Sequence, residues 1–366
     1  MHVRGGYTII DADGHVQEPA DLWERWLDPA FLNDAPERGP DGEWRWRGNP
    51  VTDGLAPAVK AEFGRKTREH YAEYLAMGWN PESQILAMDR MGIDTAYLYP
   101  TMGLFLWHQH DLPPALATAM TRAYNDWLAD FAAYDATRLR PVTALSLLDV
   151  DAALAEARRA IETRETRAVY VRPNPVGDRT IASPELDPLW TLCEDAGVAV
   201  AFHEGAHARV RTAGDDRFST DFARWSCSHP MEMMMAFASL LEGGVLERHP
   251  RLRVGFLEAG CGWVPYWLWR LDERWENVAQ EVADTVTMPP SDYFRRQCWV
   301  SLEADEPYLG ELIDFVGADR VVFASDYPHP DHTPDLTDTL VALEDRLTPA
   351  TLGRILDDNA RALYGD

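Results

Sequence analysis

Eight short apolar or β-branched runs recur along this chain, with amphipathic stretches between most of them, and no other feature restricts the fold as much. They occupy residues 7–13, 95–100, 141–147, 168–172, 198–203, 252–258, 298–303 and 321–326. Runs this short read as strands, and their alternation with helical patterns reads as successive βα units around a parallel sheet. The helix signals are local and physical. Asn80 caps and Pro81 opens one helix. Residues 149–164 place Leu154, Ala157 and Ile161 on one face, and residues 188–196 stop at Gly197. Eight units predict an α/β fold of the (β/α)8 TIM-barrel kind. A doubly wound sheet is the rival, but the Gly-rich phosphate turn it usually carries is absent.

Two segments exceed plain connections. Residues 16–93 separate the first two strands and contain Glu43-Trp44-Arg45-Trp46-Arg47-Gly48, whose alternation suggests a small hairpin; residues 204–230 follow the fifth strand. In a barrel both lie over the C-terminal face, so the second reads as a lid-like loop. No repeat, low-complexity tract or linker divides the chain, which is expected to be one domain over residues 1–366 with an insertion at about 16–93. Hydrophobic residues make up 46%, enough for a sizeable core, while a net charge of −26 argues against nucleic acid and anionic membranes as partners. Cysteines 193, 227, 261 and 298 are scattered, the N-terminus has no apolar signal region and no run is long enough to span a bilayer. A cytoplasmic protein is expected.

Chemistry collects where the runs end. The first closes in Asp11-Ala12-Asp13-Gly14-His15, the fifth in Phe202-His203-Glu204, the sixth in Leu257-Glu258-Ala259 and the eighth in Ser325-Asp326. Residues i and i+2 of a strand share a face, so Asp13 and His15 project together. Each residue alone is consistent with a polar turn, but in a barrel these tips converge on one mouth. Two imidazoles and three carboxylates there form an oxygen-rich cage suited to a divalent cation, with Zn, Mn and Fe(II) all accepting such ligands.

These strings carry a resemblance. Asp11-Ala12-Asp13-Gly14-His15-Val16, Phe202-His203, Val254-Gly255-Phe256-Leu257-Glu258-Ala259-Gly260 and Ala324-Ser325-Asp326-Tyr327-Pro328-His329 resemble the amidohydrolase superfamily, in the branch related to aminocarboxymuconate-semialdehyde decarboxylase. The resemblance runs nearly the whole length and implies Asp13, His15, His203 and Asp326 as metal ligands, with Asp326 also handling a proton. Two departures stand out: Asp13-x-His15 replaces the family's frequent His-x-His, and Glu258 replaces the strand-6 His usual in its decarboxylases. The extra carboxylate hardens the cage and favours a second cation, to which His229, in Ser228-His229-Pro230 before a Met-rich helix at 231–241, would add a nitrogen unless it only caps or packs that helix. His207 in the same loop carries less weight. The pattern also resembles an amidohydrolase-like subgroup of non-heme diiron monooxygenases.

Around the cage, Tyr99 and Trp263 are candidate walls for an apolar substrate, and otherwise core aromatics. Arg172, at the end of the fourth run, either grips a substrate carboxylate or pairs with a neighbouring acid. His329 reads as a partner or proton shuttle for Asp326, or as a turn-stabilising residue. The catalytic candidates are therefore Asp326, Glu258 and His329. The expected function is oxygen-dependent hydroxylation (O2 as co-substrate) of an apolar small molecule at two iron ions, with zinc or manganese as alternative metals. The alternatives are metal-assisted hydrolysis with Asp326 as base, and non-oxidative decarboxylation of a small carboxylic acid. The resemblance further implies a homodimer paired through exposed helices.

Overall fold

The computed structural model describes residues 6–40, 42–52, 55–205, 210–307, 309–330 and 336–366. Its parallel strands follow one another in chain order: β1 (Ile10–Val16), β2 (Thr95–Pro100), β3 (Leu139–Pro141 continued by Thr143–Ala144), β4 (Ala168–Val171), β5 (Ala199–His203), β6 (Val254–Leu257), β7 (Cys298–Leu302) and β8 (Val321–Phe323). All neighbouring ladders are parallel, and the strands are almost wholly buried, as expected of a sheet covered by helices on its outer face. The third strand is broken at Val142, whose N–H still donates to Leu98 O. Pro141 beside it has no N–H to give.

The first and last strands meet. His15 N–H donates to Tyr327 O at 2.7 Å, and Asp326 N–H donates to Asp13 O at 3.0 Å. Between them the Asp11 carboxylate accepts the Ser325 N–H and Oγ–H. These bonds link the two ends of the strand order, as the (β/α)8 barrel fold requires.

Several local expectations appear directly. Asn80 Oδ1 accepts the Ser83 N–H ahead of the helix Pro81–Met91, Asp149 caps Val150–Arg164, and Gly197 ends Asp187–Ala196 in a left-handed conformation. The alternating tryptophans form the middle strand, Trp44–Trp46, of a three-stranded antiparallel sheet, with both rings buried. Arg47 and Gly48 both take positive φ, the conformation a two-residue hairpin turn requires. No helix among the described residues is long and apolar enough to cross a membrane, and the four cysteines are free thiols.

Three expectations change. β1 runs on to Val16 because its pairing with β2 continues to Pro100, so Asp13 and His15 lie inside the strand rather than beyond its tip. Glu258 and Asp326 instead fall past the ends of β6 and β8. The lid-like loop after β5 is also shorter than expected, because residues from Asp221 onward belong to the helix Asp221–Glu242, capped by Thr220.

Candidate metal centre

The register of β1 slips between Asp11 and Gly14, so one extra residue bulges there. Gly14 has a steric reason: a Cβ on it would come 2.7 Å from Asp11 Oδ2, the oxygen that ties β1 to β8. Either side of it, Asp13 and His15 face into the barrel, where His203 of β5 meets them. His15 Nε2 lies 3.6 Å and His203 Nε2 3.5 Å from Asp13 Oδ1. His15 Nε2 is 3.0 Å from Asp326 Oδ1, and His203 Nε2 is 2.8 Å from Glu258 Oε2. Glu258 and Asp326 both take positive φ (47° and 51°), which costs a non-glycine residue roughly 1–3 kcal/mol and persists only where surroundings impose it. The Glu258 N–H is held by Ser301 Oγ, and the Asp326 N–H by the Asp13 carbonyl.

This donor set fits a divalent metal. His15 Nδ1 sits 2.8 Å from Pro100 O, and His203 Nδ1 sits 2.7 Å from Glu204 O, so each ring donates through Nδ1 and turns its Nε2 lone pair inward. The two Nε2 atoms are only 3.3 Å apart. Two lone pairs face each other there, which is repulsive unless a positive charge lies beside them. Both Asp13 oxygens are buried without a hydrogen-bond partner among the described residues, a costly state for a carboxylate that no cation compensates.

The electrostatics agree. Burial, then the charges of Asp326 and Glu258, push the Asp13 carboxyl well above its usual range. Burial, with His329 beside it, pulls His15 down to about 4, keeping it a neutral ligand near pH 7. Burial and the Asp326 charge oppose ionisation of Glu258, yet the His203 and His229 imidazoles hold it below the usual carboxylate range.

His229 stands within the helix Asp221–Glu242, not at a helix start, and the helix continues through Pro230. Its Nε2 is 3.6 Å from Glu258 Oε1 and its Nδ1 3.8 Å from Glu204 Oε2. Burial would lower its pKa, but the hydrogen bond its ring donates to Glu258 and the Glu204 charge win and raise it. The structure thus brings together all six expected ligands, with His229 reached through Glu258. His329 joins them: its Nδ1 is 2.8 Å from Asp326 Oδ1 and its Nε2 3.2 Å from Thr101 Oγ1, while its ring lies tilted against His15 with the centroids 4.0 Å apart.

Three expected residues lie elsewhere. Tyr99 is buried beneath the cage, stacked on His203 with its hydroxyl on Tyr364. Trp263 packs against Phe256 and Phe294 in the core, because the helix that opens with it turns that ring inward. The Arg172 guanidinium meets the Glu204 carboxylate at 2.5 Å, so the neighbouring acid reaches it. His207 lies outside the described residues. Thr101, Glu204 and Asp11 touch the site without having been site candidates from the sequence, although Asp11 and Glu204 stand in the run-end strings; the signal for Glu204 is its position directly after His203. Over the cage a cavity of about 530 Å³ is walled by Trp225, His229, Leu302 and Leu336, with Asp13, Glu258 and Asp326 also lining it.

The Amidohydrolase family matches residues 10–365, almost the entire length of the chain. The chain belongs to that family. It is a metal-dependent enzyme of the amidohydrolase fold. Similar proteins include the 2-amino-3-carboxymuconate-6-semialdehyde decarboxylase of Dictyostelium discoideum, 26% identical over 69% of this chain and 67% of its own. The gamma-resorcylate decarboxylase of Rhizobium sp. (strain MTP-10005) is 28% identical over 68% of this chain and 76% of its own. A dihydroxybenzoic acid decarboxylase from Polaromonas sp. JS666, solved with bound manganese and the inhibitor 2-nitroresorcinol, shares the fold with a TM-score of 0.72 at 18% identity, covering 98% of this chain and 97% of its own. This amidohydrolase therefore resembles decarboxylases, and the expected iron and dioxygen chemistry has no counterpart among these three.

Proposed function

We propose that this amidohydrolase is a non-oxidative, divalent-metal-dependent decarboxylase of a small aromatic or similarly unsaturated carboxylic acid. The observation that carries the reading is the contact of His329 Nδ1 with Asp326 Oδ1 at 2.8 Å, backed by Thr101 at His329 Nε2. It gives a carboxyl at the cavity edge a route for proton return. Glu258, held ionised by its two imidazoles, is the poorer acid. The similarity to three decarboxylases and the size of the cavity, within the range that encloses a small ligand, support the same assignment.

Asp13, His15, His203 and Asp326 would hold the metal, with manganese the favoured ion by the Polaromonas likeness. When bound, such an ion would supply positive charge against the substrate's oxygens and hold its acidic oxygens in their anionic form. Trp225 and Leu302 flank the substrate and restrict water. Asp326 donates a proton to the carbon bearing the carboxylate. The bond from that carbon to the carboxylate then breaks, its electron pair returns to the ring, and carbon dioxide leaves. His329, reprotonated from solvent, returns a proton to Asp326, so each turnover consumes one proton and needs no oxidant or reductant.

One observation favours a second reading. Glu258 reaches His203 through one oxygen and His229 through the other, an arrangement suited to a carboxylate shared by two ions, as oxygen-dependent hydroxylation at an iron pair requires. Metal analysis of protein purified anaerobically, followed by anaerobic carbon dioxide release from 2,6-dihydroxybenzoate and related acids, separates the two. The expected result is one manganese-type ion per chain and release without oxygen. Two irons per chain with substrate-dependent oxygen uptake would replace this reading by the second.

A further inference from the structure

We propose that Arg172 is a positioning residue for the metal ligand His203, acting through Glu204. This rests on the metal-site reading above but not on which reaction the site performs. The guanidinium is 3% exposed, and its three nitrogens are all engaged. Nε donates to Asn174 Oδ1 at 2.9 Å, Nη1 to Leu104 O at 2.6 Å and Nη2 to Glu204 Oε1 at 2.5 Å. Asn174 Nδ2 also donates to the same Glu204 oxygen at 3.2 Å. Arg172 is not among the residues that line the cavity.

The consequence lies on the other side of Glu204. Its backbone carbonyl is the acceptor for His203 Nδ1–H at 2.7 Å, the bond that fixes the ring's tautomer and aims Nε2 into the cage. A peptide whose side chain is anchored by a planar, bidentate-capable group is held against rotation. The next residue, Gly205, shows how closely the guanidinium lies along the chain. A Cβ there would come 2.9 Å from Nη1 and 2.9 Å from Leu104 Cβ. Arg172 therefore joins the ends of β4 and β5 and the segment after β2 around one peptide, and that peptide orients the ligand. The same carboxylate faces His229 Nδ1 through its second oxygen, so losing its anchor disturbs both imidazoles.

The test is a titration with Mn(II) alone, read by electron paramagnetic resonance, on wild type, Arg172→Met, Arg172→Lys and Glu204→Gln. Imidazole 15N spectra of each metal-free protein report the His203 tautomer. Arg172→Met is expected to weaken Mn(II) binding by about 10- to 100-fold, the usual loss when a ligand's supporting partner is removed, and to mix the His203 tautomers. Arg172→Lys, which keeps the charge but not the fork, falls between. Glu204→Gln, whose amide oxygen still accepts from Arg172 but whose charge is lost, is expected to keep the His203 tautomer while binding Mn(II) less tightly than wild type. If Arg172→Met does not fold, Arg172→Lys carries the same reading. Unchanged Mn(II) affinity and tautomer in the Arg172 variants, with loss only of 2,6-dihydroxybenzoate binding, would overturn the proposal and make Arg172 a substrate clamp. Failure of the wild type itself to bind Mn(II) removes the metal-site reading along with this proposal, whereas normal binding without decarboxylation refutes only the reaction.

Discussion

Glu232 lies one turn beyond His229 on the helix Asp221–Glu242 and is 3% exposed, so its charge is expensive. Its Oε1 accepts the Ala213 N–H at 2.6 Å. Burial, reinforced by the Glu204 charge, raises its pKa from 4.5 to about 7, against smaller pulls from the Ala213 N–H, Arg172 and Asn174. With the folded value above the unfolded one, stability is fully present below about pH 4.5, is lost as pH rises through 7, and stays lost above it. At 1.36 kcal/mol per unit, the penalty above pH 7 approaches about 3 kcal/mol. Glu232→Gln is neutral at every pH and keeps an oxygen for Ala213, so it should recover most of that amount at pH 8 and little at pH 5. Roughly 2.1 cal/mol/K per residue over 366 residues gives about 0.8 kcal/mol/K, so the gain corresponds to a melting-temperature rise of about 4 °C. Thermal melts of variant and wild type, paired at each pH so that metal-site contributions cancel, measure it. An equal shift at both pH values, or destabilisation at pH 8, would refute the reasoning.

Three other outcomes follow from the site. His329→Gln should lower decarboxylation kcat by about 10²- to 10⁴-fold while leaving Mn(II) content unchanged, because it removes the proton route and no ligand; a matching loss of metal would contradict this. Asp13→Asn should abolish tight metal binding yet make the chelator-treated protein more resistant to heat than chelated wild type, since the buried Asp13 oxygens have no donor partner among the described residues. A less stable chelated variant would show that Asp13 has a structural role of its own. Tyr364→Phe removes the 2.6 Å hydrogen bond to Ala12 O and the contact with the Tyr99 hydroxyl, and should cost about 1–3 kcal/mol in urea unfolding.

The grouping of the candidate residues was legible because it follows from short-range geometry. Strand periodicity puts Asp13 and His15 on one side, and Glu258 and Asp326 each follow directly on an apolar run, where a barrel assembles its site. What the sequence hid is tertiary. Ser228-His229-Pro230 looks like a helix start with proline in its first turn, yet the same three residues sit inside a helix that begins at Asp221. Arg172 at a strand end advertises a charge, but whether substrate or protein meets it depends on Glu204, brought alongside only when β4 pairs with β5. Thr101 and His329 are 228 residues apart and meet only once the strands have assembled.

The reaction belongs to that hidden part. A cage of imidazoles and carboxylates accepts manganese, iron or zinc, so its composition is compatible with oxygen activation and with decarboxylation alike. The groups behind the ligands discriminate better. A carboxylate with a histidine and a hydroxyl arranged to resupply its proton suits a reaction that delivers one proton per turnover to carbon, which is the task of a decarboxylase. Glu258, ionised and spread between His203 and His229, instead contributes charge and ligand geometry. On the proposed reading these two carboxylates divide the labour, Asp326 exchanging protons and Glu258 staying an anion, and that division is what separates decarboxylation from oxygen activation at this site.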